Sequence, residues 1–186
     1  MTDREAEQFH KYLELLTEWQ KIHRLLGSID PLWIAENLFL DSLLFQKALP
    51  RGVHDLLDVG AGAGFPGVPL KIMAPELRVT LVEARSRRAS FLSTAVRELG
   101  LSEVAVLNAR AEDLVDRPGF RFDAVVTRCA GSVNAVLPLA VNFLKEGGVA
   151  VASGPPTAVR LSLGEWLEVA TRRGTRRFAI YRKPDM

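Results

Sequence analysis

The chain reads as an α/β protein with a mostly parallel central sheet, helices on both faces and an N-terminal helical extension. Three observations predict this. From residue 53 onward, short apolar runs alternate with helical stretches, the pattern of strands covered on both faces. The first apolar run, Leu56-Leu57-Asp58-Val59, ends in a glycine-rich turn that feeds an apolar helix, as at the carboxyl end of a parallel strand. Two helical stretches precede that strand. The expected division is an extension over 1–52 lying against a main domain over 53–186.

The elements follow in order. Residues 5 to about 26 form a helix: Phe9, Tyr12, Leu13, Leu16, Trp19 and Leu26 fall on one face, with Glu and Lys on the other, and Gly27-Ser28 stops it. Asp30-Pro31 starts a second helix as N-cap and first residue; it runs to about 47 and ends at Pro50-Arg51-Gly52. These helices could do no more than cover a sheet face. The strands are expected at 53–59, 78–83, 104–108, 122–127, 149–153 and 176–182. The helices between them are expected at 66–73, 85–99 (closed by Gly100), 134–144 (ending near Gly147-Gly148) and 163–172.

Composition narrows the function classes. With 186 residues the chain can bury a full core. A net charge of +2 does not by itself demand a nucleic-acid partner, so such a claim must rest on local patches. The single cysteine, Cys129, excludes an intramolecular disulfide and reads as a small buried residue. No cluster has metal-ligand spacing, and His10, His23 and His54 are scattered, so no metal is expected. The polar start Met1-Thr2-Asp3-Arg4-Glu5 is not a signal peptide, and no apolar run has membrane-spanning length; a cytoplasmic protein with no membrane partner is expected.

The glycine loop admits two ligands. Gly62-Ala63-Gly64-Phe65-Pro66-Gly67 satisfies G-x-G-x-x-G, and Glu83 follows at a ribose-binding distance, so a nicotinamide dinucleotide is a contender. Two details oppose it. Pyrophosphate binding uses free N–H groups in the first helical turn, and Pro66 and Pro69 have none. Asp58 would repel a pyrophosphate, yet it could accept from an ammonium group. S-adenosylmethionine carries a sulfonium, an ammonium, a carboxylate and a ribose diol but no phosphate, and fits better. Glu83 could hold that diol with its two oxygens; as a bland alternative it is a solvated strand end.

With Asp58-Val59-Gly60-Ala61-Gly62-Ala63-Gly64-Phe65-Pro66-Gly67-Val68-Pro69-Leu70 in view, the chain resembles the bacterial glucose-inhibited division protein B family. These are Rossmann-like class I methyltransferases that use S-adenosylmethionine to methylate guanine N7 in small-subunit (16S) ribosomal RNA. The resemblance runs from about residue 12 to about residue 151. It also covers Tyr12-Leu13-Glu14-Leu15-Leu16 with Trp19, Asp41-Ser42-Leu43, Asn108-Ala109-Arg110-Ala111-Glu112 and Thr127-Arg128-Cys129-Ala130. It implies that Gly60, Gly62, Gly64 and Phe65 line the cofactor site together with Asp58. It further implies that Glu83 holds the ribose, that Ala111 and Glu112 contact the adenine, and that Arg128 borders the methyl-transfer site.

Each has a plainer reading: Phe65 as core, Glu112 as a helix-start acid, Arg128 as a surface arginine. The chain departs from the family pattern at Arg24-Leu25-Leu26, where Asn-Leu-Thr is usual. It departs again at Asn37, in the region of a usual histidine, and at Ala152-Ser153-Gly154, where Leu-Lys-Gly is usual. These departures spare the cofactor half.

RNA phosphates would need a basic surface. Arg85, Arg87 and Arg88, and Arg172, Arg173, Arg176 and Arg177, are candidates; ordinary solvated charge at helix ends would look the same. Three other functions compete: a methyltransferase on a small molecule or protein, a dinucleotide-dependent oxidoreductase, and a non-catalytic binder that keeps only the loop.

Overall fold

The computed structural model describes residues 1–128 and 131–185; Cys129 and Ala130, and the burial expected of the cysteine, lie outside them. Helix α1 (Asp3–His23) starts at a capping box. The Glu5 N–H donates to the Thr2 hydroxyl, and the Thr2 N–H donates to the Glu5 carboxylate. After a turn comes α2 (Pro31–Ile34), capped by the Asp30 carboxylate on the Leu32 N–H at 3.0 Å. The expected second helix does reach Lys47, but not as a uniform α-helix. A π stretch (Ala35–Leu40), α3 (Asp41–Leu43) and a 3₁₀ turn (Leu44–Lys47) complete it.

The sheet has seven strands: β1 (Asp55–Val59), β2 (Arg78–Val82), β3 (Val104–Leu107), β4 (Phe122–Thr127), β5 (Leu144–Ser153), β6 (Glu165–Thr171) and β7 (Gly174–Arg182). Their order is β3-β2-β1-β4-β5-β7-β6. The first five are parallel, and β7 runs antiparallel between β5 and β6. Helices α4 (Gly67–Met73) and α5 (Ser86–Glu98) lie on one face, and α6 (Val133–Val141) on the other. The strand order reverses between β1 and β4, and a ligand crevice opens at the carboxyl ends on either side of such a reversal.

Three expectations are corrected. The stretch 163–172 is not a helix but the edge strand β6. Leu167 and Val169 pack into one core layer and Trp166 into the other, the two-residue alternation of a pleated strand. A half-buried edge strand with Glu165 and Glu168 exposed mimics an amphipathic helix over so short a run. Next, Gly147-Gly148 does not end a helix. It lies inside β5, whose pairing with β4 shifts register so that Leu144 faces Phe122 and Val149 faces Ala124. Finally, α4 starts at Gly67, and Pro66 caps it from outside, after a cis Phe65–Pro66 peptide bond.

The N-terminal helices pack on the α4 and α5 side. The Tyr12 ring is fully buried and lies 5.5 Å from the Phe65 ring, 5.4 Å from Phe39 and 6.4 Å from Phe91. Phe45 meets Phe178 of β7 edge-on at 4.8 Å, so the second helical segment covers β7 on this face. The Tyr12 hydroxyl donates to the Ala63 carbonyl of the glycine loop. At the opposite end of the sheet, Lys145 bridges Asp55 at 2.6 Å and Asp123 at 2.8 Å, far from the crevice.

A Tyr12→Phe substitution keeps the ring packing and leaves the Ala63 carbonyl without its buried donor. The expected loss of stability is about 1–2 kcal/mol, read from the urea midpoint at unchanged m-value.

Candidate cofactor and acceptor site

The loop after β1 is held in place by two carboxylates. Asp58, wholly buried at the end of β1, accepts the Gly67 N–H through Oδ2 at 2.8 Å. A Cβ on Gly67 would come within 2.8 Å of that same oxygen and 2.6 Å of Leu81, so only glycine lets α4 start against the strand. The other oxygen, Oδ1, is buried with no partner among the described residues. Burial pushes the Asp58 carboxyl up to about 7, and the nearby Glu83 charge adds to the rise. The Gly67 N–H bond and Arg128 pull the other way.

Glu83 follows β2 and is 6% exposed. Its Oε2 accepts the Gly62 N–H at 2.9 Å and its Oε1 the Arg85 N–H at 2.8 Å. Each oxygen keeps a lone pair for a ligand hydroxyl. Asn108 holds this corner from β3 by donating to the Glu83 and Ala84 carbonyls.

The N–H donors at the start of α4, where a phosphate would bind, are all taken. In the first turn of α4, the Gly67 N–H goes to Asp58, Val68 to the Gly64 carbonyl and Leu70 to the Pro66 carbonyl, while Pro69 has none. Gly64, at φ +98°, brings the backbone against Tyr12 and Val68, and a Cβ there would collide with both. Phe65 is 6% exposed, its ring in the aromatic cluster with Tyr12 and Phe39. Ala111 is nearly buried at the start of a 3₁₀ turn (Ala111–Leu114), and Glu112 beside it is exposed.

Beyond β4 and β5 lies a cavity of about 660 Å³, within the usual range for small-ligand sites. Arg128, at the end of β4, lines it with a side chain 14% exposed. Its Nη2 donates to the Asn37 carbonyl at 2.6 Å and lies 3.4 Å from Asp41. Its Nη1 is buried and has no partner among the described residues, and the same holds for the neighbouring Thr127 hydroxyl. Asp41 also accepts a two-pronged bond from Arg176 at 2.5 and 3.0 Å, and Arg176 reaches Ser153 at 2.9 Å. One carboxylate thus joins the N-terminal segment to the ends of β4, β5 and β7.

The fold brings Asp58, the loop glycines, Glu83 and Arg128 to the same end of the sheet. The basic candidates separate. Arg85 and Arg87 are exposed where α5 begins. Arg173 is paired with Glu36 and Asn37, Arg176 with Asp41, and Arg177 with Glu168 and the Pro156 carbonyl. With no helix over 163–172, these arginines are hairpin residues rather than a helix C-terminus. Sequence reasoning gave no role to Asp41, Asn108 or Tyr12, although all three sit in quoted motifs. Trp33, which also lines the cavity, carried no signal at all.

The strand order with an antiparallel seventh strand, and a glycine loop facing an acidic strand end, define a Rossmann-like methyltransferase fold. Solved structures with this fold include the O-methyltransferase TomG from Streptomyces achromogenes, described in complex with SAM (TM-score 0.60, 19% identity, 96% of this chain and 90% of that one). Another is cofactor-bound Rv0187 from MTB (TM-score 0.65, 18% identity, 97% and 91%).

A family model described as rRNA small subunit methyltransferase G matches residues 5–154, and the chain belongs to that family. Curated relatives called ribosomal RNA small subunit methyltransferase G include one from Streptococcus gordonii, 37% identical over 82% of this chain and 66% of its own length. One from Desulfitobacterium hafniense is 40% identical over 80% and 62%. The chain thus spans a little under two thirds of the length of these relatives.

The Asp58 shift fixes a pH dependence. Its folded carboxyl titrates at about 7, above its ordinary unfolded value, so the folded state holds the extra proton between the two. Stability contributed by this group is full below about pH 4, falls as pH rises, and levels off above about 7. An Asp58→Asn variant, which can still accept from Gly67, should lose that decline, gaining on the order of 2–4 kcal/mol over wild type at pH 8 relative to pH 4. Urea titrations at several pH values measure it.

Proposed function

We propose that the chain is a methyltransferase that uses S-adenosylmethionine to methylate N7 of a guanine in small-subunit (16S) ribosomal RNA, as RNA or within the 30S particle, in the cytoplasm. The observation that carries the reading is the closed donor inventory at the start of α4 beside the buried, unpartnered Asp58 Oδ1. It offers nothing to a pyrophosphate and an acceptor to an ammonium group. This argues against the dinucleotide alternative that the glycine spacing alone allowed. Family membership supports RNA of the small subunit as the acceptor class.

The cofactor supplies a methyl group made electrophilic by its sulfonium. In this reading Asp58 takes the ammonium, Glu83 accepts from the ribose hydroxyls, and Gly60, Gly62, Gly64 and Phe65 form the floor. Ala111 and Glu112 border the adenine. Guanine N7 carries a lone pair and no proton, so the transfer needs no general base. The residues align the nucleophile with the methyl carbon and hold it at near-attack distance. Arg128 is the positioning group. In this reading its unpartnered Nη1 is the donor left for guanine O6, while N7 must keep its lone pair free. The pairing of Nη2 with Asn37 and Asp41 holds the guanidinium in place.

Labelled S-adenosylmethionine incubated with naked 16S rRNA or with 30S particles should yield 7-methylguanosine in the digested RNA. An Arg128→Ala variant should lose about 100-fold in kcat/KM, with cofactor affinity changed far less. Calorimetry that finds tight NAD binding and no response to S-adenosylmethionine would overturn the reading.

A further inference from the structure

The wall of the 660 Å³ cavity is built from parts the cofactor half does not need. Trp33 on α2, 37% exposed, is one of its lining residues and the only aromatic one among the described residues. Pro155, Pro156 and Val159 from the connection between β5 and β6 line it as well. That connection is pinned: Trp166 Nε1 donates to the Val159 carbonyl at 3.0 Å, and Arg177 donates to the Pro156 carbonyl at 2.5 Å. Trp33 is held too, since its carbonyl accepts from Asn37 Nδ2 at 2.9 Å. Its polar lining includes Arg128, Arg176 and Asp41. An aromatic and apolar lining beside these polar groups makes a slot that suits a flat, polar-edged ring.

We infer that this slot admits one purine base turned out of its RNA strand, with the Trp33 indole as its stacking face. The inference rests on the methyltransferase reading above and adds how the acceptor enters. Arg128 lines the cavity with a side chain only 14% exposed, so the reacting edge must come inside the protein. In A-form RNA, guanine N7 lies in a deep, narrow major groove that protein elements do not enter. A concave wall cannot descend into that groove, so the base leaves its stack. The lost stacking is offset by an aromatic face in the site.

The test uses the full chain and RNA hairpins carrying the target-site guanine either in a loop or inside a continuous duplex. Trp33→Ala should raise KM for the loop RNA about tenfold or more, the size of one lost base–aromatic stack. Its kcat should change less, and the Kd for S-adenosylmethionine should hold within about twofold. Trp33→Phe, which keeps a stacking face, should recover most of the loss. The duplex hairpin should be a poorer substrate than the loop by a similar factor. An unchanged KM in Trp33→Ala, with wild type active, overturns the stacking role and leaves the methyltransferase reading standing. Equal use of loop and duplex overturns the entry of an extruded base. A wild-type chain that transfers methyl groups to neither hairpin, nor to naked 16S rRNA or 30S particles, defeats both readings.

Discussion

The site is organised by a carboxylate taken out of water. Asp58 has one oxygen on the Gly67 N–H and the other buried with no partner among the described residues. Isolating a charge in this way is unfavourable unless a counter-charge arrives or a proton stays on. Much of the surroundings follows from that arrangement. Gly67 must lack a side chain for α4 to reach the carboxylate, and Gly64 must lack one for the loop to fold under Tyr12. The loop is tied on its other side to Glu83, whose two oxygens take the Gly62 and Arg85 N–H groups. The two acids fix the loop between β1 and β2 and leave acceptor capacity unspent.

The N-terminal helices are a structural part of this end of the sheet. Tyr12 reaches the loop through the Ala63 carbonyl, and Asp41 clamps Arg128 and Arg176. The π stretch matters here: Leu38 and Phe39 stay in the core while Asn37 and Asp41 reach the cavity. Covering a sheet face and building a site wall are therefore done by one segment, so the plainer and the functional readings of these helices do not compete.

Much of this was legible in the sequence, for physical reasons that can be named. Strands buried on both faces are continuous apolar runs, so β1, β2 and β4 were found within a residue or two. Glycines beside an acidic strand end mark close backbone approach, so the loop was found as well. β6 was missed because an edge strand buries only part of each face and its pattern loses contrast. The extent of β5 was missed because glycine inside a strand at a register shift looks like glycine at a helix end. The Asp41 clamp and the Trp33 wall were out of reach for another cause. Both depend on residues more than a hundred positions apart meeting in space, as Asp41 meets Arg176, and no local pattern encodes that.

The connection from β5 to β6, residues 154–164, contains no helix and closes one side of the cavity with little more than two prolines, a valine and a few pinned carbonyls. Surface connections tolerate lengthening at a small entropic cost, roughly 0.6 kcal/mol per doubling. Insertions there would leave the carboxylate pair and the glycine loop untouched, because those belong to β1, β2 and α4. The connection can therefore change length without moving the residues that fix the glycine loop. On the proposed reading, the surroundings of the acceptor can vary there while the cofactor residues stay in place.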